Sequence, residues 1–356
     1  MTRITIDARM IESSGIGTFL RNMLKRLIAQ KKNWDFYIIG DKNKLHKYEW
    51  ANSKNVKLIY CEAPVYSIKE QIVFPLLIPK DSDLLWVPHY NIPLLYSGTL
   101  LVTIHDVFHL AMPRFVDGIH KKLYARFMFY MVKKKADKIT TVSVFTKNEI
   151  KKYLGLDDTR IDVIYSGVDE EWFDIQKEYD VHNVPYILYV GNVKPHKNLI
   201  TLVNAFLRVK DEVDYDLIIV GKKEGFITGD NQVIEFASSA KDRIFFTGFI
   251  DDSILKQYYK QASIFVFPSL YEGFGLPPLE AIASGCKRVL CSNAASIPEV
   301  CGDMVQYFDP LNVEELADCI KSPETQTSRG HEMFFDWQDC VDKLVKCMNE
   351  CIENNL

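Results

Sequence analysis

Short apolar segments alternate with longer amphipathic segments along most of the chain. This alternation is typical of a parallel sheet whose strands are joined by helices. In the first half the pattern predicts strands at 4–6, 36–39, 56–59, 84–87, 101–104, 138–142 and 161–164. In the second half it predicts strands at 186–190, 217–220, 244–247, 264–267, 288–291 and 304–308. Helical spacing is clearest at 18–30, 119–137 and 334–351.

The two series of strands predict an α/β protein with two Rossmann-like, doubly wound parallel-sheet domains that face a central cleft. A chain of 356 residues is long enough for two such domains. We expect an N-terminal domain at 1–165, a polar linker at 166–185 and a C-terminal domain at 186–333. The last segment, 334–356, has no strand after its helix, so we expect it to pack across both domains. Ligands of such sheets bind beyond the carboxyl ends of the strands, so the functional loops should follow strands.

Charge is distributed unevenly along a chain of otherwise ordinary globular composition, with 47% apolar and 25% charged residues. Residues 1–165 contain 26 Lys and Arg against 16 Asp and Glu, whereas the remainder contains 17 against 31. The basic half indicates an anionic partner, such as a phospholipid surface or a pyrophosphate-linked substrate. Nucleic acid is disfavoured because the sequence has no arginine-rich stripe, zinc-finger spacing or RNA-binding aromatic signature.

The location of the protein is indicated by its first residues, its apolar runs and its cysteines. The start MTRITIDARM predicts a strand, because it lacks the apolar core of a secretory signal. No run reaches the roughly 18 apolar residues of a membrane span. The eight cysteines show no C-x-x-C spacing, which favours reduced thiols in the core. We therefore expect a cytoplasmic protein. The basic half of the chain leaves open a peripheral position on the inner face of the plasma membrane.

The most specific segment is YEGFGLPPLEAIASG at 271–285, directly after a predicted strand. Its glycines allow backbone N–H groups to approach a ligand closely, and its Pro-Pro pair fits the first turn of a helix. That helix would present its positive end to a pyrophosphate or a sugar oxygen. Glu272 could hold sugar hydroxyls, and Glu280, expected in the first helical turn, could accept hydrogen bonds from ribose hydroxyls. The alternative is that Glu280 only complements the helix dipole and Glu272 is solvated.

The segment resembles the E-x7-E motif of the retaining glycosyltransferases of family 4, which have the two-domain GT-B fold. Six further motifs occur in the order expected for the family and extend the resemblance over nearly the whole chain: SSGIGTFLRNML, TIHDVFHL, TVSVFTKNEI, VIYSGVD, LYVGNVKPHKNL and SIPEVCGDMVQYFDP. The resemblance implies His105, Asp106 and Glu272 as catalytic residues. It implies a donor site formed by Gly15, Gly17, Lys197, Glu272, Gly273, Phe274, Gly275, Leu276 and Glu280. It implies no cofactor and no essential metal ion.

The turn GNVKPHKN at 191–198 follows a predicted strand and carries lysines. A lysine in such a turn can stabilise the negative charge that develops on a departing nucleotide. The resemblance implies that Lys197 contacts the donor diphosphate. Family members often have arginine where this chain has His196, which leaves a second cation there open. The alternative is a solvated basic turn before a helix.

The loop at 13–18 leads from the first strand into a helix and contains Gly15 and Gly17. The resemblance implies that both contact the donor near its phosphates. A G-x-G-x-x-G fingerprint needs a third glycine where this chain has Leu20, which disfavours a dinucleotide cofactor.

His105 and Asp106 follow a predicted strand and should reach the ligand. The resemblance implies that His105 hydrogen-bonds the transferred sugar and that Asp106 orients it or contacts the acceptor. A structural histidine or an i, i+4 metal pair with His109 is the alternative. The sequence Asp81-Ser82-Asp83 imitates a metal-binding D-x-D, but it precedes a strand, so a turn is the better interpretation.

The segment at 119–138 surrounds an apolar run with seven lysine and arginine residues. This composition fits a helix on an anionic membrane surface, with an ordinary domain helix as the equal alternative.

The resemblance as a whole implies a retaining hexosyltransferase of surface polysaccharide (O-antigen, lipopolysaccharide or capsule) biosynthesis. The closest resemblance is to bacterial mannosyltransferases of O-antigen and capsule assembly, which implies GDP-mannose as donor and a lipid-linked oligosaccharide as acceptor. Other GDP-, UDP- and dTDP-sugars stay open. The rivals are a nucleotide-sugar epimerase of the same architecture, a binding module without turnover, and an NAD-dependent oxidoreductase, which Asp41 after the second strand would support.

Overall fold

The chain forms two compact units in the computed structural model, which describes residues 1–221, 231–323 and 335–354. The first unit contains Met1–Gly167 and Phe335–Leu356, and the second contains Val168–Phe334. Most of the expected linker at 166–185, from residue 168 onward, is therefore part of the second unit.

The first unit is built on seven parallel strands in the order β3-β2-β1-β4-β5-β6-β7. The strands are β1 Arg3–Asp7, β2 Asp35–Gly40, β3 Val56–Tyr60, β4 Leu84–Val87, β5 Leu100–Ile104, β6 Lys138–Thr141 and β7 Ile161–Val163. The helices before the second unit are α1 Ser14–Gln30, α2 Lys42–Leu45, α3 Ile68–Leu77, α4 Phe108–Ala111, α5 Ile119–Lys135 and α6 Val144–Leu154. One side of the sheet buries α3, α5 and α6 in a single apolar cluster that includes Phe74, Met128 and Ile150.

The second unit is built on six parallel strands in the order β10-β9-β8-β11-β12-β13. They are β8 Tyr186–Val190, β9 Asp216–Val220, β10 Ile244–Gly248, β11 Ile264–Phe267, β12 Val289–Ser292 and β13 Gln306–Phe308. The helices are α7 Leu199–Val209, α8 Asn231–Ala237, α9 Asp252–Gln261, α10 Leu276–Ala283, α11 Ile297–Cys301 and α12 Val313–Lys321. The predicted parallel α/β architecture is confirmed, and all thirteen predicted strands are present.

The last helix, α13 Trp337–Glu353, belongs to the first unit. Trp337 is buried there, and a side chain at Gly167 would come within 2.5 Å of its backbone nitrogen. Asp342 of α13 accepts a 2.6 Å hydrogen bond from Gln30 at the end of α1. The buried Cys340 thiol donates to the Tyr165 carbonyl. These contacts hold the helix on the first unit, and the expected packing across both domains stays a prediction.

All eight cysteines are buried and unbridged. Within the three described ranges, no helix combines the length and apolarity needed to cross a bilayer.

Candidate functional site

The second unit has a topological switch point between the neighbouring strands β8 and β11. The chain winds outward from β8 through β9 to β10, and then returns to the other side of β8 with β11. Loops that leave two such strands diverge and leave a crevice at the carboxyl ends of the sheet. Lys197 follows β8 and Glu272 follows β11, so the topology alone brings the two predicted residues to the same place.

Lys197 and Glu272 form an ion pair, with 2.6 Å between Nζ and Oε1. Both side chains are largely shielded from solvent but not fully buried. The two loops are also tied through the backbone, because Leu270 N donates to the His196 carbonyl at 2.8 Å. When a ligand binds, a partly buried cation and carboxylate at a switch point can each give up the other as a partner and bind a ligand group instead. A cation and a carboxylate here can therefore bind a phosphate and a sugar hydroxyl.

Asn198 fixes the lysine loop, and the sequence analysis missed it. Its φ of +56° is left-handed, a region that asparagine adopts more readily than most residues. Its side-chain amide donates to the carbonyls of Pro268 (3.0 Å) and Pro310 (2.8 Å). The amide thereby holds the loop after β8 to the loop after β11. An asparagine just before a helix was the available signal.

The glutamate loop is held by two serines that the sequence analysis also missed. Ser296 donates to the backbone carbonyls of Glu272 (3.0 Å) and Phe274 (2.7 Å). Ser292 donates to the Ser269 carbonyl at 2.6 Å. Both serines are buried, so these bonds fix the backbone that carries Glu272. Their partners lie more than 20 residues away, and no local pattern indicates that pairing.

Gly275 ends this loop with φ +111°, a conformation that a side chain would strain, and α10 begins at the next residue, Leu276. Gly273 and Phe274 lie buried in the same loop. The predicted position of Glu280 requires a correction. Because α10 begins at Leu276, Glu280 is its fifth residue and lies beyond the first turn. The carboxylate is therefore not a first-turn partner of the helix dipole.

Glu280 accepts a 3.2 Å hydrogen bond from the buried Tyr259 hydroxyl. Burial raises the pKa of Glu280 to about 7 and outweighs the hydrogen bond from Tyr259, which lowers it. Smaller effects come from Asp252 and Asp169, which raise this pKa, and from Lys256, which lowers it. A carboxyl group that titrates near neutrality can accept hydrogen bonds from vicinal hydroxyls when it is ionised and can donate one to them when it is protonated.

Glu280 should give the protein a pH-dependent stability. The folded-state pKa of Glu280 lies above the ordinary 4.5. Its contribution to the free energy of unfolding is therefore fully present below pH 4.5 and is lost as the pH rises to about 7. We expect Glu280→Gln to gain up to about 3 kcal/mol relative to wild type between pH 5 and pH 8. Urea unfolding across this range measures the difference. Glu235→Gln, at an exposed glutamate of α8, is the control, and parallel curves for wild type and Glu280→Gln would contradict the assignment.

In the first unit, Gly15 and Gly17 lie inside a helix and not in the loop that the sequence predicts. Helix α1 begins at Ser14 because Ser13 is extended and its carbonyl accepts from Gly17 N. A Cβ atom on Gly17 would lie 2.5 Å from the Ile11 carbonyl oxygen, whereas a Cβ on Gly15 would meet nothing within 4 Å. The close approach of the Ile11 carbonyl explains why residue 17 is a glycine. Gly15 faces open space, so the packing of the first unit does not require glycine there.

His105 lies at the carboxyl end of β5. Its Nε2 is 3.1 Å from the Pro88 carbonyl, which can only accept, so Nε2 carries the proton. Burial lowers the pKa of His105 to about 4, with a small contribution from His89, so the ring is neutral at pH 7. The remaining nitrogen, Nδ1, is therefore a hydrogen-bond acceptor. This is the form of histidine that receives a bond from a sugar hydroxyl.

Asp106 accepts a 2.9 Å hydrogen bond from Phe108 N and so stabilises the start of α4. The D-x-D lookalike is structural: Asp83 accepts from Arg3 N at 2.7 Å, and Asp81 pairs with the Arg3 guanidinium at 3.0 Å. Both lie at the amino end of β4, away from the ligand end of the sheet. Among the residues that the structure describes, no cluster of three His, Cys, Asp or Glu is arranged to hold a metal ion.

A buried charge network lies at the switch point of the first unit, between β1 and β4, and the sequence analysis missed it. Asp7 accepts from Arg9 Nε (2.8 Å) and from His89 Nε2 (2.9 Å). Arg9 also pairs with Glu70 at 2.7 Å. Burial alone would raise the pKa of Asp7, but Arg9 and His89 hold it below its ordinary value. The network fixes the loop after β4, and thereby Pro88, the partner of His105. Charged residues at strand ends were the available signal.

Comparison with known proteins decides the family. The model of "Glycosyltransferase Family 4" matches residues 13–172, and that of "Glycosyl transferases group 1" matches residues 170–333. The O-antigen chain mannosyltransferase RfbU of Salmonella typhimurium is 32% identical over 253 residues, which cover 67% of each chain. The chain belongs to glycosyltransferase family 4.

Solved structures agree with the GT-B fold of this family 4 glycosyltransferase. Sucrose-phosphate synthase from Thermosynechococcus elongatus superposes with a TM-score of 0.78 at 17% identity, over 99% of this chain and 100% of that one. Anabaena Alr3699/HepE, solved in complex with UDP and glucose, superposes with a TM-score of 0.73 at 16% identity, over 98% and 100%. At these identities the likeness shows the fold alone. The predicted family and fold are confirmed.

Proposed function

We propose that this glycosyltransferase moves mannose from GDP-mannose to a lipid-linked oligosaccharide of surface polysaccharide assembly, with retention of anomeric configuration. The observation that carries the proposal is the half-buried pair of Lys197 and Glu272 at the switch point of the second unit. The pair supplies one group for a diphosphate and one for a sugar. The proposal needs no cofactor and no metal ion.

Each site residue has a distinct role in this proposal. Lys197 leaves Glu272 and neutralises the diphosphate, while Glu272 accepts hydrogen bonds from sugar hydroxyls. Glu280 binds the ribose hydroxyls. In the first unit, Nδ1 of His105 accepts from a hydroxyl of the transferred sugar, and the exposed backbone at Gly15 approaches the donor phosphates.

In the reaction, the bond between the anomeric carbon and the phosphate oxygen breaks as the acceptor oxygen bonds to that carbon from the same face. The acceptor proton passes to the leaving diphosphate. Negative charge grows on that diphosphate in the transition state, so the ammonium group of Lys197 contributes most there.

The choice of donor rests on relatives. RfbU is named for mannose transfer to an O-antigen chain, which favours mannose and an O-antigen acceptor for this chain. The structural neighbour from Anabaena was solved with UDP and glucose, which supports a nucleotide sugar as the class of donor.

The acceptor proposal includes contact with an anionic membrane through residues 119–138. Helix α5 covers 119–135 of this segment and buries Ala125, Met128, Phe129 and Val132 in the core. Its other face keeps basic residues exposed, including Lys121 and Arg126. The helix is thus both a core element and a basic surface, and the two interpretations of the sequence are compatible.

A thermal-shift screen against GDP-, UDP- and dTDP-sugars tests the donor. A ligand that binds only the native state at 100 times its Kd adds about 2.7 kcal/mol of stability. We expect GDP-mannose to raise the Tm by several degrees, and to do so less for Lys197→Ala. If no nucleotide sugar raises the Tm, the proposal fails. Conversion of GDP-mannose to another nucleotide sugar without any acceptor would identify an epimerase instead.

A further inference from the structure

Helix α3 has the reverse of the polarity expected for a helix on the surface of a sheet. It buries Glu70 beside Phe74. It exposes Ile68, Ile72 and Leu76, which are 84%, 55% and 81% accessible to solvent. The spacing of these three is i, i+4 and i+8, so they lie along one face of the helix. Three large aliphatic side chains in a row on the exposed face indicate a surface that is covered in use.

The buried Glu70 prevents α3 from rotating to hide this stripe. Its carboxylate pairs with Arg9 at 2.7 Å, and it accepts hydrogen bonds from Tyr66 N (2.6 Å) and Asn91 (2.7 Å). Rotation of the helix would leave the Arg9 charge buried without this partner, which is strongly unfavourable. The apolar face is therefore fixed outward by the charge network of the first unit.

Helix α5 adds a second apolar stripe on the same side of the sheet. Leu123, Phe127 and Tyr130 are exposed at helical spacing. The two helices pack into one core cluster, and the rings of Tyr66, before α3, and Tyr124, in α5, lie 6.4 Å apart. We call Ile68, Ile72, Leu76, Leu123, Phe127 and Tyr130 the α3–α5 surface.

The exposed charges on the two helices that carry the α3–α5 surface are positive. Helix α5 contains six lysine and arginine residues and no acidic residue. The exposed charge on α3 is Lys69, because Glu70, its acidic residue, is buried. Apolar side chains bordered by cations complement the acyl boundary and the headgroups of an anionic leaflet.

We propose that the α3–α5 surface docks the first unit on an anionic phospholipid bilayer, with Ile68, Ile72 and Leu76 inserted below the headgroups. The inference deepens the proposed function and rests on its lipid-linked acceptor. It extends the basic contact of residues 119–138 to α3, which the sequence pattern did not indicate. Glu70 links the α3–α5 surface directly to Arg9, and through Arg9 to Asp7, at the carboxyl end of the sheet.

Co-sedimentation with vesicles of phosphatidylethanolamine and phosphatidylglycerol, without donor or acceptor, tests the proposal. We expect Ile68→Gln/Leu76→Gln to lower the vesicle partition coefficient at least about tenfold, because each buried CH₂ group contributes to binding. Lys121→Gln/Arg126→Gln should weaken binding to these vesicles but not to phosphatidylcholine vesicles. The matched control is Leu311→Gln in the second unit, where Leu311 is 76% exposed, and it should bind as wild type does.

Wild-type protein that stays in the supernatant, or Ile68→Gln/Leu76→Gln that binds as wild type does, would overturn the proposal. So would a wild-type dimer in size-exclusion chromatography that the same variant converts to a monomer, because the surface would then join two copies. Transfer to a water-soluble acceptor analogue separates the two proposals. If vesicles bind the protein but no sugar is transferred, the proposed function fails and the docking surface stands.

Discussion

Lys197→Ala is expected to lower kcat/KM for sugar transfer by about 10² to 10³, because it removes a preorganised charge at the leaving diphosphate. Lys197 pairs with Glu272 at 2.6 Å, so the substitution also leaves a half-buried carboxylate without its cation. Folding should nevertheless be retained, since both side chains reach solvent. Initial rates at subsaturating donor measure the loss, and circular dichroism checks the fold.

Two further variants separate a role in transfer from a structural role. Lys287→Ala removes an exposed lysine at the amino end of β12, away from the ligand end of the sheet, and should leave kcat/KM within about twofold of wild type, since remote surface changes have small effects. Lys197→Met/Glu272→Gln removes the charges of both partners together. If the pair served only stability, this variant would regain activity, and that result would contradict the donor role of Lys197.

Substitution of the two glycines in α1 is expected to have opposite effects on stability. Gly17→Ala should cost about 2 to 3 kcal/mol or more, because its Cβ atom would lie 2.5 Å from the Ile11 carbonyl. Gly15→Ala should be neutral or stabilising by up to about 1 kcal/mol, since alanine favours the helix and its Cβ atom meets open space. Urea unfolding of the two variants measures both.

Activity then identifies the glycine that serves the ligand. We expect Gly15→Ala to lower kcat/KM roughly ten- to a hundredfold, the loss of one hydrogen bond to a charged group, although the protein is as stable as wild type. Gly15→Ala with full activity would show that no ligand approaches this part of α1. The functional assignment of Gly15 would then be wrong, while the packing role of Gly17 would be unaffected.

The strands were predictable because residues of a parallel sheet are buried on both faces and form short, continuous apolar runs. The placement of Lys197 and Glu272 at one edge of the sheet was predictable because each follows such a run. Their roles were implied by the resemblance and stay predictions. The start of α1 was not, since Gly15 and Gly17 lack the side chains from which helical spacing is recognised. The position of Glu280 within α10 was not predictable either, because it depends on the residue at which α10 begins. The left-handed conformation of Gly275 sets that start at Leu276.

The supports of the site could not be predicted, because they depend on contacts between distant parts of the sequence. Ser296 reaches loop carbonyls more than 20 residues away, and Asn198 reaches Pro310 across 112 residues. The reversed polarity of α3 has the same origin. Its sequence places Glu70 among apolar residues, and only the pairing with Arg9 across the fold shows which face is buried.

The most direct test of the central claim is a crystal structure of the full chain with GDP-mannose. The claim is that the loops after β8 and β11 bind the nucleoside diphosphate of the donor. The diphosphate should then lie about 3 Å from Nζ of Lys197, with Glu272 turned to the sugar and Glu280 to the ribose. GDP-mannose bound at another place, with the pair of Lys197 and Glu272 unchanged, would contradict the claim.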